Sequence, residues 1–565
     1  MMDVQPRVLV FAATLNERDN IERLCDLVLR LDVRADLLVV DDNSSDGTGA
    51  ILRRIAAGEP RLHVVHRPRK MGLGSAHKLA MTFAVKRGYD VLVTMDADFS
   101  HNPADIPRLV AALHGSDFVI GSRYAPGAVC EYRGYRKYVS IVANKLAALL
   151  LGIRLHEFTT SFRVFSVPML QRVDYASIRS SGYSFFMETV WHVARSGARC
   201  VEVPIHFSDR VRGESKIPRF QILAGAINLM RLAWRRLLRW RGPKAASGPV
   251  TGSCSLCGSD LRIELYAAKK RHDPTGAAAY RCTSMEHGSK PQLVQCLACG
   301  LVAAAESRSA DDILALYSDV ADETCLQNRP ARERTFARVL HEVAARVPAG
   351  GRILEVGAYC GVFVDVAARG GWRVEGVEPS RWAGAQARAK GLTVHCGTVK
   401  ELGHKLSPPY DAVVLWDVLE HLSDPVADLH NIQRVLADDG CLFVSTLDMS
   451  ALLPKVLGRN WQWIMEMHLF YFTTDVLRTL FRRAGFELTE VRPYWHYASV
   501  RYLAEKAGAI LPTPLGQMAR LASVFAPRRL FLPVYFGDVK LFVCRKLAVE
   551  SAMAPPPLPA RTASA

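Results

Sequence analysis

Short apolar runs and stretches of helical spacing alternate along the chain in a regular rhythm. Val8–Ala12, Leu37–Val40, His63–His66 and Val91–Thr94 read as strands. Between the first two, Ile21, Leu24, Leu27, Val28 and Leu31 recur as on one face of a helix, and further helices are expected from about Gly49 and near Ala76–Lys86. Such alternation predicts a parallel, doubly wound sheet with its ligand site at the carboxyl ends of the strands. The rhythm returns later: Arg352–Val356 runs into a glycine loop, Val374–Val377 ends in Glu378, and Asp411–Trp416 leads to Asp417. The expected fold class is therefore two doubly wound α/β domains.

Between them the pattern changes twice. From Phe220 to Trp240, Leu223, Ile227, Met230, Trp234 and Leu237 keep helical spacing while Arg231, Arg235 and Arg239 occupy another face. That amphipathic pattern fits the plane of an anionic membrane, and it equally fits a helix packed on its parent domain with solvated arginines. Gly242–Thr251 reads as a linker, and the Pro- and Ala-rich tail from Ser551 as disordered. The expected organisation is a first α/β domain over 1–218, helix and linker over 219–253, a small metal module over 254–302, a second α/β domain over 303–548, and a tail over 549–565.

Composition narrows the partners. At 565 residues one core is too small a unit, and a net charge of +17 calls for an anionic partner. No nucleic-acid motif accompanies the arginines, so phosphates and lipid head groups rank above nucleic acid. No leader of charged then apolar residues opens the chain, and no uninterrupted apolar run reaches the roughly 18 residues of a span. Of 13 cysteines, only Cys254, Cys257, Cys296 and Cys299 form a pattern, two Cys-x-x-Cys knuckles each followed by Gly. Four thiolates so paired suit a tetrahedral structural Zn²⁺ in a reducing cytosol, with Cys282 and His287 as substitute ligands in the long gap.

Two loops carry the chemistry. Asp96 and Asp98 follow the strand Val91–Thr94, and period two puts them on one side with Ala97 turned away. Paired carboxylates at a strand end suit Mg²⁺ or Mn²⁺ holding a diphosphate. In the second domain Gly357 and Gly361 let backbone approach a ligand, and Glu378 is placed to accept both hydroxyls of a ribose. A dinucleotide site is the rival there, but Gly-x-Gly-x-x-Gly is absent.

These motifs resemble known families. Thr14–Asn20, Val39–Thr48, Arg67–Ser75, Met95–Pro103, Gly121–Tyr124, Ser161–Arg163 and the run Val203 to Lys216 resemble family 2 glycosyltransferases of the polyprenol phosphate mannose synthase type. The resemblance implies transfer of mannose from GDP-mannose to a polyprenyl phosphate at the cytoplasmic face of a membrane. It implies that Ala13, Leu15, Glu17, Val40 and Asp42 border the nucleoside, and that Asp96, Ala97, Asp98 and Ser100 hold ribose, diphosphate and metal. Arg123 would meet phosphate on the acceptor side, and Arg210 and Lys216 would clamp the donor diphosphate. The family's Pro-Thr-Tyr-Asn-Glu reads Ala13-Thr14-Leu15-Asn16-Glu17 here, which leaves another donor such as UDP-glucose open. The second domain resembles class I S-adenosylmethionine-dependent methyltransferases with an N-terminal zinc-binding module. That resemblance implies cofactor binding by Glu355, Gly357, Gly361, Glu378 and Asp417, with His421 and His468 either near the transfer point or structural. Tyr359 stands where the family has a small residue and is expected to crowd the loop, so a scaffolding role for this half stays open.

Overall fold

The computed structural model describes residues 5–131, 134–180, 182–208, 219–238, 248–269, 290–305, 326, 328–510, 514–527 and 530–547. The chain divides into two compact units. One is built on the stretch up to Leu265 together with Gln295–Gly300, the other on Tyr266–Val294 and the chain from Leu301 onward. The second cysteine pair thus belongs to the first unit.

The first unit is a seven-stranded sheet. Its strands are β1 (Val8–Thr14), β2 (Ala35–Asp41), β3 (Leu62–His66), β4 (Val91–Asp96), β5 (Phe118–Ser122), β7 (Arg163–Ser166) and β8 (Cys200–Pro204), in the order β3-β2-β1-β4-β7-β5-β8. A small parallel pair, β6 (Val129–Cys130) and β9 (His206–Phe207), stands beside it. Val8–Ala12, Leu37–Val40 and Val91–Met95 are buried on both faces of the sheet, which is why they read as apolar runs. Ala13 lies opposite both Val40 and Asp96, so the loops after β1, β2 and β4 leave one edge together.

The sheet is mixed where the sequence pattern predicted it parallel. β7 runs antiparallel to both β4 and β5. Period-two burial reports which residues face the core and is blind to strand direction. The reversal matters, because it brings the start of β7 to the edge where the parallel strands end.

The helix Arg219–Leu237 packs on the unit through Asn228, Leu229, Leu232 and Ala233. Its other face carries Leu223, Ile227, Met230, Trp234 and Leu237, each 62–75 % exposed. The apolar stripe therefore points outward, against the reading in which that stripe packs on the parent domain. Arg231 turns inward instead and donates to the buried carboxylate of Glu188 at 2.9 Å. The neighbouring helix Tyr135–Leu151 exposes Tyr138, Val142 and Leu149 as well. No helix among the described residues is long and apolar enough to cross a membrane.

After the short strands β10 (Arg262–Tyr266), β11 (Leu293–Cys296) and β12 (Val302–Ala304), the second unit forms another seven-stranded sheet. Its strands are β13 (Arg352–Val356), β14 (Arg373–Glu378), β15 (Val394–Cys396), β16 (Tyr410–Trp416), β17 (Leu436–Leu447), β19 (Phe486–Pro493) and β22 (Val539–Lys546), ordered β15-β14-β13-β16-β17-β22-β19. The strands from β15 to β17 are parallel, and β22 is antiparallel to both its neighbours. A two-residue strand, β18 (Phe470–Tyr471), pairs with β12, while β20 (His496–Ser499) and β21 (Phe531–Val534) form an antiparallel pair.

Candidate functional site

At the edge of the first sheet, Asp96 closes β4 and Asp98 lies buried two residues on. Phe99 takes a left-handed φ of +61°, which turns the chain so that Ser100 reaches back. Ser100 donates its hydroxyl (2.6 Å) and its amide (3.1 Å) to Asp98 Oδ1. Asp96 stays half-buried, and its Oδ1 accepts the Ser161 hydroxyl at 2.6 Å. Each of the two carboxylates is thus held by a serine at the end of β4. The donor set is all oxygen, the chemistry a hard divalent cation takes.

Around them the loops are tied together. Asn16, at φ +61°, receives the Ser45 amide at 2.9 Å while its own amide donates to Ser44 Oγ at 2.8 Å. The Glu17 amide donates to Thr48 Oγ1, and Leu15 is partly exposed beside it. Asp42 accepts the Met71 and Gly72 amides and pairs with the buried guanidinium of Arg67. Ala13, Leu15, Glu17, Val40, Asp42, Ala97 and Ser100 therefore border one region of the edge.

Three neighbours escaped the reading of the sequence. His101 is buried behind Asp96 and accepts the Asp96 amide on Nδ1 at 3.2 Å; its Nε2 then carries the proton toward Thr160 Oγ1. Burial pushes the His101 pKa down, which keeps that neutral tautomer. Ser161 sits within the Ser161–Arg163 motif, and its reach to Asp96 follows from the reversed β7. Glu157 carried no local signal at all. It is fully buried and grips Arg123 through two hydrogen bonds of 2.7 and 2.9 Å. Burial alone would raise its pKa, but the Arg123 charge and its hydrogen bonds bring it to about 2. Arg123 is buried too and also donates to Thr159, so the structure places it as half of an internal ion pair that props this edge. Arg210 and Lys216, like Cys282, His287 and Arg239, lie outside the described residues.

The four knuckle cysteines converge. Cys254 and Cys299 are 3.6 Å apart at sulfur, as are Cys257 and Cys296, and all four sulfurs lie within 4.8 Å of one another. A tetrahedron with ~2.3 Å metal–sulfur bonds has edges of about 3.8 Å, so the set fits one Zn²⁺ without the substitute ligands. Lys86 and Arg87 bind Asp260 beside the first knuckle, and Arg69 donates to Cys299 O at 3.3 Å.

In the second unit a cavity of about 1440 Å³ opens at the carboxyl ends of β13, β14 and β16. Gly357 lines it at φ +76°, and a Cβ there would meet Val418 at 2.6 Å. Glu378 is buried and accepts the Tyr359 and Ser380 amides, one on each oxygen, at 2.7 and 2.8 Å. Burial raises its pKa to about 7 against those two bonds. Glu355 is buried as well, with a pKa pushed well up by burial, and its Oε2 has no hydrogen-bond partner among the described residues. The Gly357 cradle and the Glu378 carboxylate at the tip of β14 fit the ribose of S-adenosylmethionine, whereas Glu355 and Gly361 are not among the residues that line the cavity. Tyr359 takes φ +48°, packs against the buried pair Cys360 and Ala383, and is itself one of the residues that line the cavity. Asp417 lines the same cavity and accepts the Ser445 hydroxyl at 2.7 Å.

Comparison with known proteins agrees with this division. Residues 10–174 match the family model "Glycosyl transferase family 2", and residues 329–491 match "Methyltransferase domain". Over 214 residues the chain is 40 % identical to the polyprenol monophosphomannose synthase of Mycolicibacterium smegmatis, covering 37 % of this chain and 81 % of that protein. Over 247 residues it is 39 % identical to the undecaprenyl-phosphate mannosyltransferase of Micrococcus luteus, covering 43 % of this chain and 99 % of that one. A solved SAM-dependent methyltransferase from Thermotoga maritima is similar over 40 % of this chain and 93 % of its own, at 21 % identity and a TM-score of 0.27. The chain is an enzyme that belongs to glycosyl transferase family 2 and carries a methyltransferase domain after it.

Proposed function

We propose that the first unit transfers mannose from GDP-mannose to a polyprenyl phosphate at the cytoplasmic face of a membrane, and that the second uses S-adenosylmethionine. The observation that carries the first reading is the pair Asp96 and Asp98, held by Ser161 and Ser100 at the end of β4. A family match and 40 % identity to a polyprenol monophosphomannose synthase support it. A polyprenyl phosphate oxygen is already ionised at neutral pH, so the site needs to position its nucleophile and has no proton to remove. Charge grows on the departing nucleoside diphosphate. Mg²⁺ or Mn²⁺ held by Asp96 and Asp98 supplies the Lewis acidity that offsets it. Arg210 and Lys216 add cationic charge from the segment after β9. Ala13, Leu15, Glu17, Val40 and Asp42 frame the nucleoside.

The outward apolar stripe of Leu223, Ile227, Met230, Trp234 and Leu237, beside Tyr138 and Leu149, supports seating on the membrane that holds such a lipid. Cys254, Cys257, Cys296 and Cys299 hold a structural Zn²⁺. In the second unit Glu378 receives the ribose hydroxyls of S-adenosylmethionine, and Gly357 admits its backbone-close portion. S-adenosylmethionine supplies an electrophilic methyl group when bound. A cavity larger than the ~300–1,000 Å³ of a single-ligand pocket leaves room for an acceptor beside it.

The test is incubation of the full chain with a panel of labelled nucleotide sugars, undecaprenyl phosphate and Mg²⁺. Label passing into lipid from GDP-mannose alone is the expected result. Transfer from UDP-glucose instead would keep the reaction class and replace the donor, and transfer from none would remove the reading.

A further inference from the structure

Glu420, His421 and His468 meet in the wall of the second unit's cavity. One ligand atom from each lies within 4.8 Å of the others. Glu420 and His421 come from the tight turn Leu419–His421 after β16, and His468 from the loop that leads into β18. The two imidazoles touch edge to face, with centroids 4.7 Å apart.

Their outer contacts decide what this cluster is built for. His421 Nδ1 lies 3.0 Å from Met467 O, and His468 Nδ1 lies 2.8 Å from Trp463 O. A carbonyl oxygen only accepts, so each Nδ1 carries the proton and each Nε2 carries the lone pair. Both rings are thereby held in the same tautomer, by backbone that cannot turn away. Glu420 is buried, and its Oε2 accepts the Thr446 hydroxyl at 2.8 Å. Imidazoles pinned at Nδ1 by carbonyls, and a carboxylate oriented by a hydroxyl, are the outer-sphere arrangement of a metal site.

We propose that Glu420, His421 and His468 form a divalent-metal site in this cavity. Two imidazole nitrogens and one carboxylate suit a first-row ion such as Mn²⁺, Co²⁺ or Zn²⁺ and leave further coordination positions on the cavity side. Oxygen atoms of a hydroxylated acceptor would take those positions, which points to a sugar or other polyol as the methyl acceptor. The acceptor class rests on the methyltransferase reading of the cavity; the metal site does not.

The test is therefore metal binding, read without methyl transfer. The full chain carries Zn²⁺ in its cysteine cluster and Asp98→Ala in its first unit, so that neither site competes, and Co²⁺ is titrated in. The expected result is one equivalent of Co²⁺ with visible d–d bands and no sulfur-to-cobalt charge transfer. His468→Ala should abolish those bands, and Glu420→Gln, which keeps the shape of the side chain, should weaken binding. The weakening should be no less than the ~10–100-fold that loss of an outer-sphere partner costs. Calorimetry with S-adenosylmethionine checks that both variants retain the fold of the unit. Absence of the bands in the parent at excess Co²⁺ would overturn the proposal, whatever the variants do. So would unchanged bands in two folded variants.

Discussion

The two units place carboxylates at the same point of the same architecture and treat them in opposite ways. In the first, Asp96 ends β4 half-buried and is held by a hydroxyl, facing outward. In the second, Glu355 and Glu378 stand at the ends of β13 and β14, fully buried, with pKa values pushed upward by that burial. The first arrangement presents carboxylate oxygens at a partly open edge. The second keeps protons close and suits hydrogen bonds to a ligand that itself excludes water. The contrast does not extend to the apolar residues: the first unit turns the stripe from Leu223 to Leu237 outward, and the second likewise exposes Leu515, Met518, Leu521 and Val524. Strand order fixes where a functional side chain stands, and the depth of the surrounding layer fixes what it can do.

The contrast breaks most readily at Asp98. Asp98→Ala should lower glycosyl transfer by at least ~10²-fold, as loss of a charge-stabilising group in a transition state does, and chelator should add little to that loss. Initial rates with and without chelator check this, and a variant with full turnover in chelator would remove the metal-holding role from the first unit's half of the comparison.

A second prediction concerns pH. Glu378 has a folded pKa of about 7 against an ordinary value of 4.5. The folded state holds that proton more tightly, so its contribution to stability is complete below ~4.5 and is lost as pH rises through about 7. The loss is on the order of 3 kcal/mol for the cofactor-free protein. Urea midpoints measured from pH ~4.5 to ~8 should fall, and Glu378→Gln should flatten the decline. A midpoint that rises over this window would show that the buried carboxyl is not protonated.

Glu378 also sharpens the comparison through its ligand. Glu378→Ala should weaken S-adenosylmethionine binding by roughly 1–3 kcal/mol, about one to two decades in dissociation constant, because hydrogen bonds to two ribose hydroxyls are lost. Calorimetry on the full chain reads this directly.

The smallest effect is expected at the outward stripe. Trp234→Ser or Ile227→Ser should each loosen binding to anionic vesicles by roughly tenfold, less than the ~1.5–3 kcal/mol of full side-chain burial. Arg231→Glu should instead lower thermal stability, since it sets a second carboxylate against the buried Glu188. Vesicle sedimentation and a melting curve separate the two.

The sequence by itself determined the first four strands of the first unit with the helices between them, three strands of the second, the placement of Asp96 and Asp98 at the end of β4, the glycine loop before Glu378, and the pairing of four cysteines. All of these are local: period two, helical spacing and fixed short intervals survive in the letters because neighbouring residues share one backbone conformation. Tertiary structure alone decided that β7 runs backward and delivers Ser161 to Asp96. It alone decided that Arg123 is matched by Glu157, that Arg231 rather than the apolar stripe faces the body of the unit, and that His468 closes on Glu420 and His421. The helix from Arg219 shows the reason most plainly. Periodicity states which residues share a face, but the face that turns inward is chosen by the shape and charge of what it packs against. That partner, Glu188 here, lies far away in the chain and leaves no mark on the local pattern.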